Sequence, residues 1–317
     1  MTQNTMTPTD LIESIDIDGD DGLAIPACET DILLLDNTIS ETPVLPSPPP
    51  QDGANCIAVM GAAGGVGVTS LCIQMAHDLA IESQKKLQKT SRSKEARICL
   101  IDLDFEGGSS AHHLDLTPSL SMSDLIQSPE NIDRALISAL VTTHASGMDL
   151  LAAPNTLGGN DMANPLVVVA LLDLACQMYD HVIIDVPRYW RPWNMAAIGG
   201  ADKFAIVTDL TIPSLHLARM RMNAIEEKLD GTIRAEIILN KYERRSFRNA
   251  LRQKDAEIAL KRGVSATICV DTETLREAIN CGEPSGVIRP DSRYVKDVRY
   301  VQKIMQKQHD TAERSAA

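Results

Sequence analysis

The sequence has no long apolar segment, few aromatic residues and no closely spaced pair of cysteines. The longest apolar run, residues 166–172, ends at Asp173 and is far shorter than the roughly 18 to 20 residues of a membrane-spanning helix. The N-terminus also lacks the basic start and apolar stretch of a secretion signal, so we expect a cytoplasmic protein. The seven cysteines contain no C-x-x-C motif, which favours reduced core thiols over a metal or redox site.

Lysine and arginine are absent until Lys85, and this absence marks a boundary. Residues 1–54 contain eleven of the chain's 43 acidic residues, none of its 30 basic ones and no aromatic residue, and they end in a Pro-rich stretch. Such a segment cannot bury enough apolar surface to offset the entropy of ordering. We therefore predict a disordered acidic tail and linker over 1–54, a folded domain over 55–310 and a disordered C-terminus over 311–317.

From residue 55 onward, short apolar runs alternate with helical patterns. Near-continuous apolar runs are typical of strands that are buried on both faces. The predicted strands are 56–60, 97–103, 148–152, 181–185, 203–208, 235–240 and 265–270, and the predicted helices are 69–84, 130–141, 165–179, 213–229, 246–262, 272–281 and 293–308. This alternation predicts an α/β fold, a doubly wound and mostly parallel sheet flanked by helices. Ligands of such sheets bind at the carboxyl ends of the strands.

A glycine-rich loop follows the first predicted strand and opens the first predicted helix. Gly64, Gly65 and Gly67 lie within four residues, so backbone N–H groups can converge on an anion without obstruction by Cβ atoms. The usual phosphate loop, G-x-x-x-x-G-K-[ST], adds a lysine and a hydroxyl. Here Thr69 supplies the hydroxyl, but Val68 occupies the lysine position. A plain strand-to-helix turn without a ligand is the alternative.

The missing lysine affects catalysis more than binding. Each lost charged hydrogen bond of about 1.5 to 3 kcal/mol weakens nucleotide binding by about 10- to 150-fold, and the backbone amides and magnesium remain. Phosphoryl transfer, however, relies mainly on positioned positive charge around the transferred group. The sequence therefore predicts slow ATP hydrolysis or none.

Polar residues end three other predicted strands. Asp102 and Asp104 end the second strand, Asp185 ends the strand at 181–185, and Asn240 ends the strand at 235–240. Because parallel strands end at the same edge of a sheet, we expect the three carboxylates to face the glycine loop, where they could bind Mg²⁺ or orient a water. Asn240 is placed to contact an adenine edge, or it belongs to a turn.

Together these motifs resemble the MinD/ParA group of P-loop ATPases, whose loop reads K-G-G-x-G-K-[ST]-[ST]. Residues 63–70 match this spacing, with Ala63 and Val68 in place of both lysines and Ala62 in place of a glycine. Within the group, the chain is most similar to the CpaE/TadZ-type pilus assembly proteins, over about residues 55–300. The motifs at 101–104, 150–154, 184–188 and 239–242 carry this likeness.

The resemblance implies an ATP site with Mg²⁺. It assigns Asp104 and Asp102 to hydrolysis, and Thr69, Asp102 and Asp185 to the metal. It assigns the nucleotide to Gly64, Gly65, Val66, Gly67, Val68, Thr69, Ser70 and Asn240, with residues 270–284 near the base. It further implies a homodimer that works with pilus or secretion proteins, including a secretion ATPase, and that associates peripherally with the inner face of the cytoplasmic membrane, including a cell pole, through these partners.

Two alternative functions follow from the same residues. An active MinD/ParA-type ATPase could position division or DNA-partition cargo. An iron–sulfur reductase of this fold would need cysteines after Asp104 and Asp185, and the sequence has none there. The basic segments 85–97 and 244–262 do not interleave aromatic residues as a base-stacking surface would, so we expect no nucleic-acid partner. The segment 188–193 holds both tryptophans and is either an interface or part of the packing over the sheet.

Overall fold

The structure is a computed structural model that describes residues 54–89, 96–120, 122, 132–154, 163–243 and 251–306. The predicted tail, apart from Ala54, and the predicted C-terminal segment lie outside these residues. The domain boundaries therefore stay predictions.

The described residues form one sheet of eight strands. The strands are β1 (Asn55–Gly61), β2 (Ile98–Asp102), β3 (Thr142–Thr143), β4 (Asp149–Leu151), β5 (His181–Val186), β6 (Lys203–Thr208), β7 (Ala235–Tyr242) and β8 (Ala266–Cys269). Their order is β3-β4-β2-β5-β1-β6-β7-β8. Every neighbouring pair is parallel except β3 and β4.

The same residues form ten helices, mostly in the connections between strands. They are α1 (Val68–Lys89), α2 (Ser110–His113), α3 (Arg134–Leu140), α4 (Pro165–Met178), α5 (Pro192–Gly199), α6 (Ile212–Lys228), α7 (Gln253–Leu260), α8 (Thr272–Cys281), α9 (Ser285–Ile288) and α10 (Arg293–Gln306). Several begin with a local cap. Asn164 accepts a hydrogen bond from Leu166 N at 2.9 Å before α4, and Asp271 accepts one from Thr274 N at 3.1 Å before α8.

Both faces of the sheet are covered by helices. One apolar cluster joins the sheet to α4, α5, α6 and α7, and Trp193 and Phe204 are among its fully buried side chains. A second cluster joins the opposite face to α1 and α10, around Leu71 and Tyr294. All seven residues of β1 are buried, as expected for a central strand in such a sandwich. The predicted doubly wound, mostly parallel sheet is confirmed.

Some elements differ from the prediction. The two-residue strand β3 and the short helices α2, α5 and α9 were not predicted, because segments of this length carry too little periodicity. Helix α1 extends to Lys89 rather than ending at 84, since its last turns are rich in good helix formers. In the described part of the predicted helix 246–262, α7 begins only at Gln253. None of the described helices is long and apolar enough to span a membrane.

Candidate functional site

The loop between β1 and α1 has the backbone conformation of an anion site. Gly65 has φ +70° and Gly67 has φ +89°, in the left-handed region that side chains with a Cβ disfavour. Gly64 and Gly65 are exposed, so their N–H groups can be reached by a ligand. The first N–H groups of α1 lack helical acceptors and add a partial positive charge.

Asn240 ties this loop to β7. Its Nδ2 donates to the carbonyl oxygen of Val66 at 2.8 Å, and its Oδ1 accepts from Lys241 N at 2.8 Å. A methyl group added at Gly67 would lie 2.7 Å from Asn240 Nδ2. The side chain predicted to contact adenine is thus buried and supports the phosphate loop.

A hydroxyl and a buried carboxylate lie side by side next to the loop. Asp185 is paired with Asp102 across β5 and β2, and Thr69 Oγ1 donates to Asp185 Oδ2 at 2.7 Å. Burial, together with the negative charges of Asp102 and Asp104, raises the pKa of Asp185 to about 8. At neutral pH this carboxylate therefore either keeps a proton or has a cation beside it.

The other two carboxylates occupy different positions. Asp102 is buried, and its two oxygens accept hydrogen bonds from the backbone N–H groups of Asp104 and Ser110, each at 3.1 Å. Burial raises the pKa of Asp102 as well. Asp102 thus holds the connection between β2 and α2, whereas Asp104 lines the cavity in front of the loop. The metal and catalytic roles of these two residues stay predictions.

Two adjoining cavities lie at the carboxyl ends of the strands and share Gly67 and Ser70. The first has a volume of about 290 Å³ and is lined by Gly61, residues 63–70, Asp104, His113 and residues 185–189. The second has a volume of about 400 Å³ and is lined by the ends of β7 and β8, by α8 and by Tyr294. Their combined size falls within the range of small-molecule sites.

Most predicted site residues meet at these cavities. The first is lined by Gly64, Gly65, Val66, Gly67, Val68, Thr69, Ser70, Asp104 and Asp185, and the second by Asn240. Val270, Leu275 and Ile279, from the segment 270–284, also line the second. Asp102 is the predicted residue that lines neither of them.

One residue that supports the loop was not predicted. Arg221, in α6, donates from Nε to the carbonyl oxygen of Ala62 at 3.0 Å and from Nη1 to the carbonyl oxygen of Arg188. Burial lowers the pKa of Arg221, and the nearby charge of Arg188 adds to this shift. No local motif connects Arg221 to partners so distant in sequence, so the sequence carried no signal for it.

Magnesium and a nucleoside triphosphate fit these residues. In the described part of the chain, no group of three or more His, Cys, Asp or Glu side chains is arranged to hold a metal ion alone. Mg²⁺, however, is usually held by one or two carboxylates, several waters and the phosphates of a substrate. The pair formed by Thr69 and Asp185, beside a loop with exposed glycines, offers this arrangement.

No family model and no curated protein matches the chain, whereas solved structures do. A ParA family ATPase from Chlorobium tepidum superposes with a TM-score of 0.67 at 21% identity, over 77% of this chain and 96% of that one. The fold is that of the MinD/ParA ATPases. The septum site-determining protein MinD from Pyrococcus horikoshii, solved with Mg-ADP, gives 0.64 at 16% identity, over 79% and 95%. The Aquifex aeolicus MinC:MinD complex gives 0.63 at 19% identity, over 80% and 97%.

Proposed function

We propose that this protein binds Mg-ATP and acts as a scaffold, with little or no hydrolysis. The observation that carries this proposal is the loop itself. Its glycines keep the left-handed conformation and its hydroxyl lies beside Asp185, although both lysines of the family pattern are replaced. Binding can rest on amides and a metal, whereas rapid phosphoryl transfer needs more positive charge.

Each part of the site would hold one part of the nucleotide. The amides of residues 64–67 and the N-terminus of α1 would bind the phosphates. Thr69 and Asp185 would hold Mg²⁺, whose charge offsets that of the phosphates. The second cavity, between Asn240 and α8, would receive the base and sugar.

Slow hydrolysis follows from the charges near the first cavity. Asp104 faces this cavity and could orient a water, with Asp102 fixing the backbone around it. Val68 occupies the lysine position of the loop, so the charge that develops in the transition state lacks the stabilisation that a loop lysine would add to that from amides and metal. The expected turnover is close to background.

The cellular role that we propose is the assembly or localisation of a Tad (type IVb) pilus. The chain would work as a homodimer at the inner face of the cytoplasmic membrane, held there by pilus or secretion proteins that include a secretion ATPase. This role rests on the sequence resemblance to the CpaE/TadZ type. A protein of the same fold, MinD, has been solved in complex with MinC, which supports the idea that this fold recruits a partner.

Equilibrium titration with fluorescently labelled ATP tests the nucleotide site. With Mg²⁺ in excess over ATP we expect saturable binding at submillimolar ATP. We expect Thr69→Val to weaken the Mg²⁺-dependent part about tenfold by removing the hydroxyl. Ser138→Ala, at an exposed hydroxyl of α3, is the matched control. Absence of binding at millimolar ATP would refute the nucleotide part.

Deletion of the chromosomal gene for this protein, followed by counting of pili on the cells, tests the cellular role.

The second candidate is an active MinD/ParA-type ATPase that positions division or DNA-partition cargo. The observation that favours it is Asp104, which lines the first cavity next to the loop. A phosphate-release assay separates the two candidates. Turnover that exceeds background, is stimulated by a partner and is lost in Asp104→Ala would support the active ATPase.

A further inference from the structure

The side chain of Arg188 extends from the β5–α5 connection over the phosphate loop. A methyl group added at Gly64 would lie 2.8 Å from Arg188 Nη1, so the guanidinium is in contact with the loop glycine. Its carbon lies 5.2 Å from the centre of the Tyr189 ring, a cation–π contact. The guanidinium is therefore in contact both with an aromatic ring and with the loop where phosphates are expected.

The backbone that carries Arg188 is held at three consecutive carbonyl groups. Asn194 Nδ2, which is fully buried, donates to Pro187 O at 2.8 Å and to Tyr189 O at 2.6 Å. Arg221 donates to the carbonyl oxygen of Arg188. The same Arg221 side chain holds Ala62 at the start of the loop. The loop and the Arg188 segment are thus fixed to each other by one side chain.

Charge gives Arg188 a specific role. Among the residues that line the first cavity, all of which lie in the described part of the chain, it is the one lysine or arginine. The cavity also contains Asp104 and Asp185, so a triphosphate would meet negative charge without it. A guanidinium presents a planar fork of donors that matches phosphate oxygens. Because Arg188 is exposed, contact with a phosphate costs it little free energy of desolvation.

We propose that Arg188 is a phosphate-binding residue that supplies, from the β5–α5 connection, the positive charge that Val68 does not provide within the loop. This inference rests on the proposed nucleotide site. The guanidinium would contact an oxygen of the triphosphate. With this contact, a loop without lysine can still bind a highly charged ligand.

The test compares Arg188→Ala with the wild-type protein and with Arg234→Ala, by titration with labelled ATP and Mg²⁺ and by competition with inorganic tripolyphosphate. Arg234 is exposed just before β7, at the end of the sheet opposite the site. Its removal changes the net charge by the same amount as the removal of Arg188. We expect Arg188→Ala to weaken both ATP and tripolyphosphate about tenfold or more, and Arg234→Ala to change them less than about twofold. Val68→Lys in the Arg188→Ala background should restore most of the affinity.

The outcomes separate the two proposals. If the wild-type protein binds ATP and Arg188→Ala binds it equally well or more tightly, the role of Arg188 is refuted and the nucleotide site stands. If the wild-type protein binds neither ATP nor tripolyphosphate, both proposals fail. Unchanged thermal unfolding of Arg188→Ala would show that a loss of binding does not come from misfolding.

Discussion

At the scale of single residues, the loop has glycines in the left-handed conformation but no positive side chain. Val68 occupies the place of a lysine, and its Cγ2 would lie 3.1 Å from a methyl group at Gly61, so it packs against the end of β1. Asp185, by contrast, is buried beside two other carboxylates, and its pKa rises to about 8. The loop thus carries no positive side chain beside these carboxylates, which is why the proposed role of Arg188 matters for binding an anion.

Away from the site, His77 lies buried in α1. Burial lowers its pKa to about 4, and the positive charges of His144, Arg299 and Lys85 add to this shift. The unfolded chain, with an ordinary histidine pKa of about 6.5, therefore binds more protons than the folded chain between pH 4 and 6.5. His77 consequently destabilises the fold as the pH falls through this range.

We predict that His77→Gln makes the free energy of unfolding less dependent on pH. Between pH 7 and pH 4.5 the wild-type protein should lose about 2 kcal/mol more of its free energy of unfolding than the variant does. Urea unfolding at both pH values measures this difference. His216→Gln, at an exposed position in α6, is the control and should follow the wild type. Equal slopes in all three proteins would contradict the prediction.

At the scale of elements, the site is built by connections that follow strands. The loop after β1 is held by Asn240 at the end of β7 and by Arg221 from α6. The connection after β5 is held by Asn194 at the start of α5. The contacts of Asn240 and Arg221 join segments that are distant in the chain, so the shape of the phosphate loop depends on the packing of β7 and α6 against it.

Two glycines of the loop allow a matched test of this support. Both Gly65 and Gly67 have positive φ, so replacement by alanine should cost about 1 to 2 kcal/mol at either position. At Gly67 the new methyl group would also lie 2.7 Å from Asn240 Nδ2, whereas at Gly65 nothing lies within 4 Å. We predict that Gly67→Ala weakens Mg-ATP binding about tenfold more than Gly65→Ala, by disrupting the contact with Val66.

Titration with labelled ATP and thermal unfolding of both variants check this prediction. The contact with Asn240, rather than backbone strain, causes the expected difference because strain is common to both positions. Equal affinities for the two variants would mean that Asn240 does not shape the loop.

At the scale of the whole molecule, charge and structure are divided along the chain. The acidic residues of 1–54 account for most of the net charge of -13, and the sheet begins directly afterwards, with β1 at its centre. Both apolar clusters are made from residue 54 onward. The acidic, Pro-rich composition of 1–54 predicts that these residues add little to this core.

We therefore predict that a chain that begins at residue 54 keeps the stability and the nucleotide affinity of the full chain. The midpoint of thermal unfolding should change by less than about 2 °C, which corresponds to about 1 kcal/mol or less for a domain of this size. Calorimetry and the labelled-ATP titration measure both quantities. A fall of several degrees would show that the N-terminal segment packs on the domain and would refute its predicted disorder.

The sequence by itself determined the layout of the fold. Continuous apolar runs mark strands buried on both faces, and periodic segments between them mark helices, because both signals arise from neighbours a few residues apart. The glycine loop and the strand-terminal acids were visible for the same reason. Gly64, Thr69, Asp104 and Asp185 do line one cavity, as parallel strands ending at one edge of a sheet require.

Tertiary structure alone decided what these residues contact. Asp102 and Asn240 have local patterns typical of ligand-binding residues, yet their polar atoms hold backbone groups of the site. Arg188 and Arg221 meet the loop only because β5 and β6 flank β1 in the sheet. Burial beside other carboxylates, which sets the pKa of Asp185, likewise depends on strand order. The contacts of Asn240 with Val66 and of Arg221 with Ala62 join positions 174 and 159 apart. Such contacts leave no periodic trace in the sequence, so only the packing reveals them.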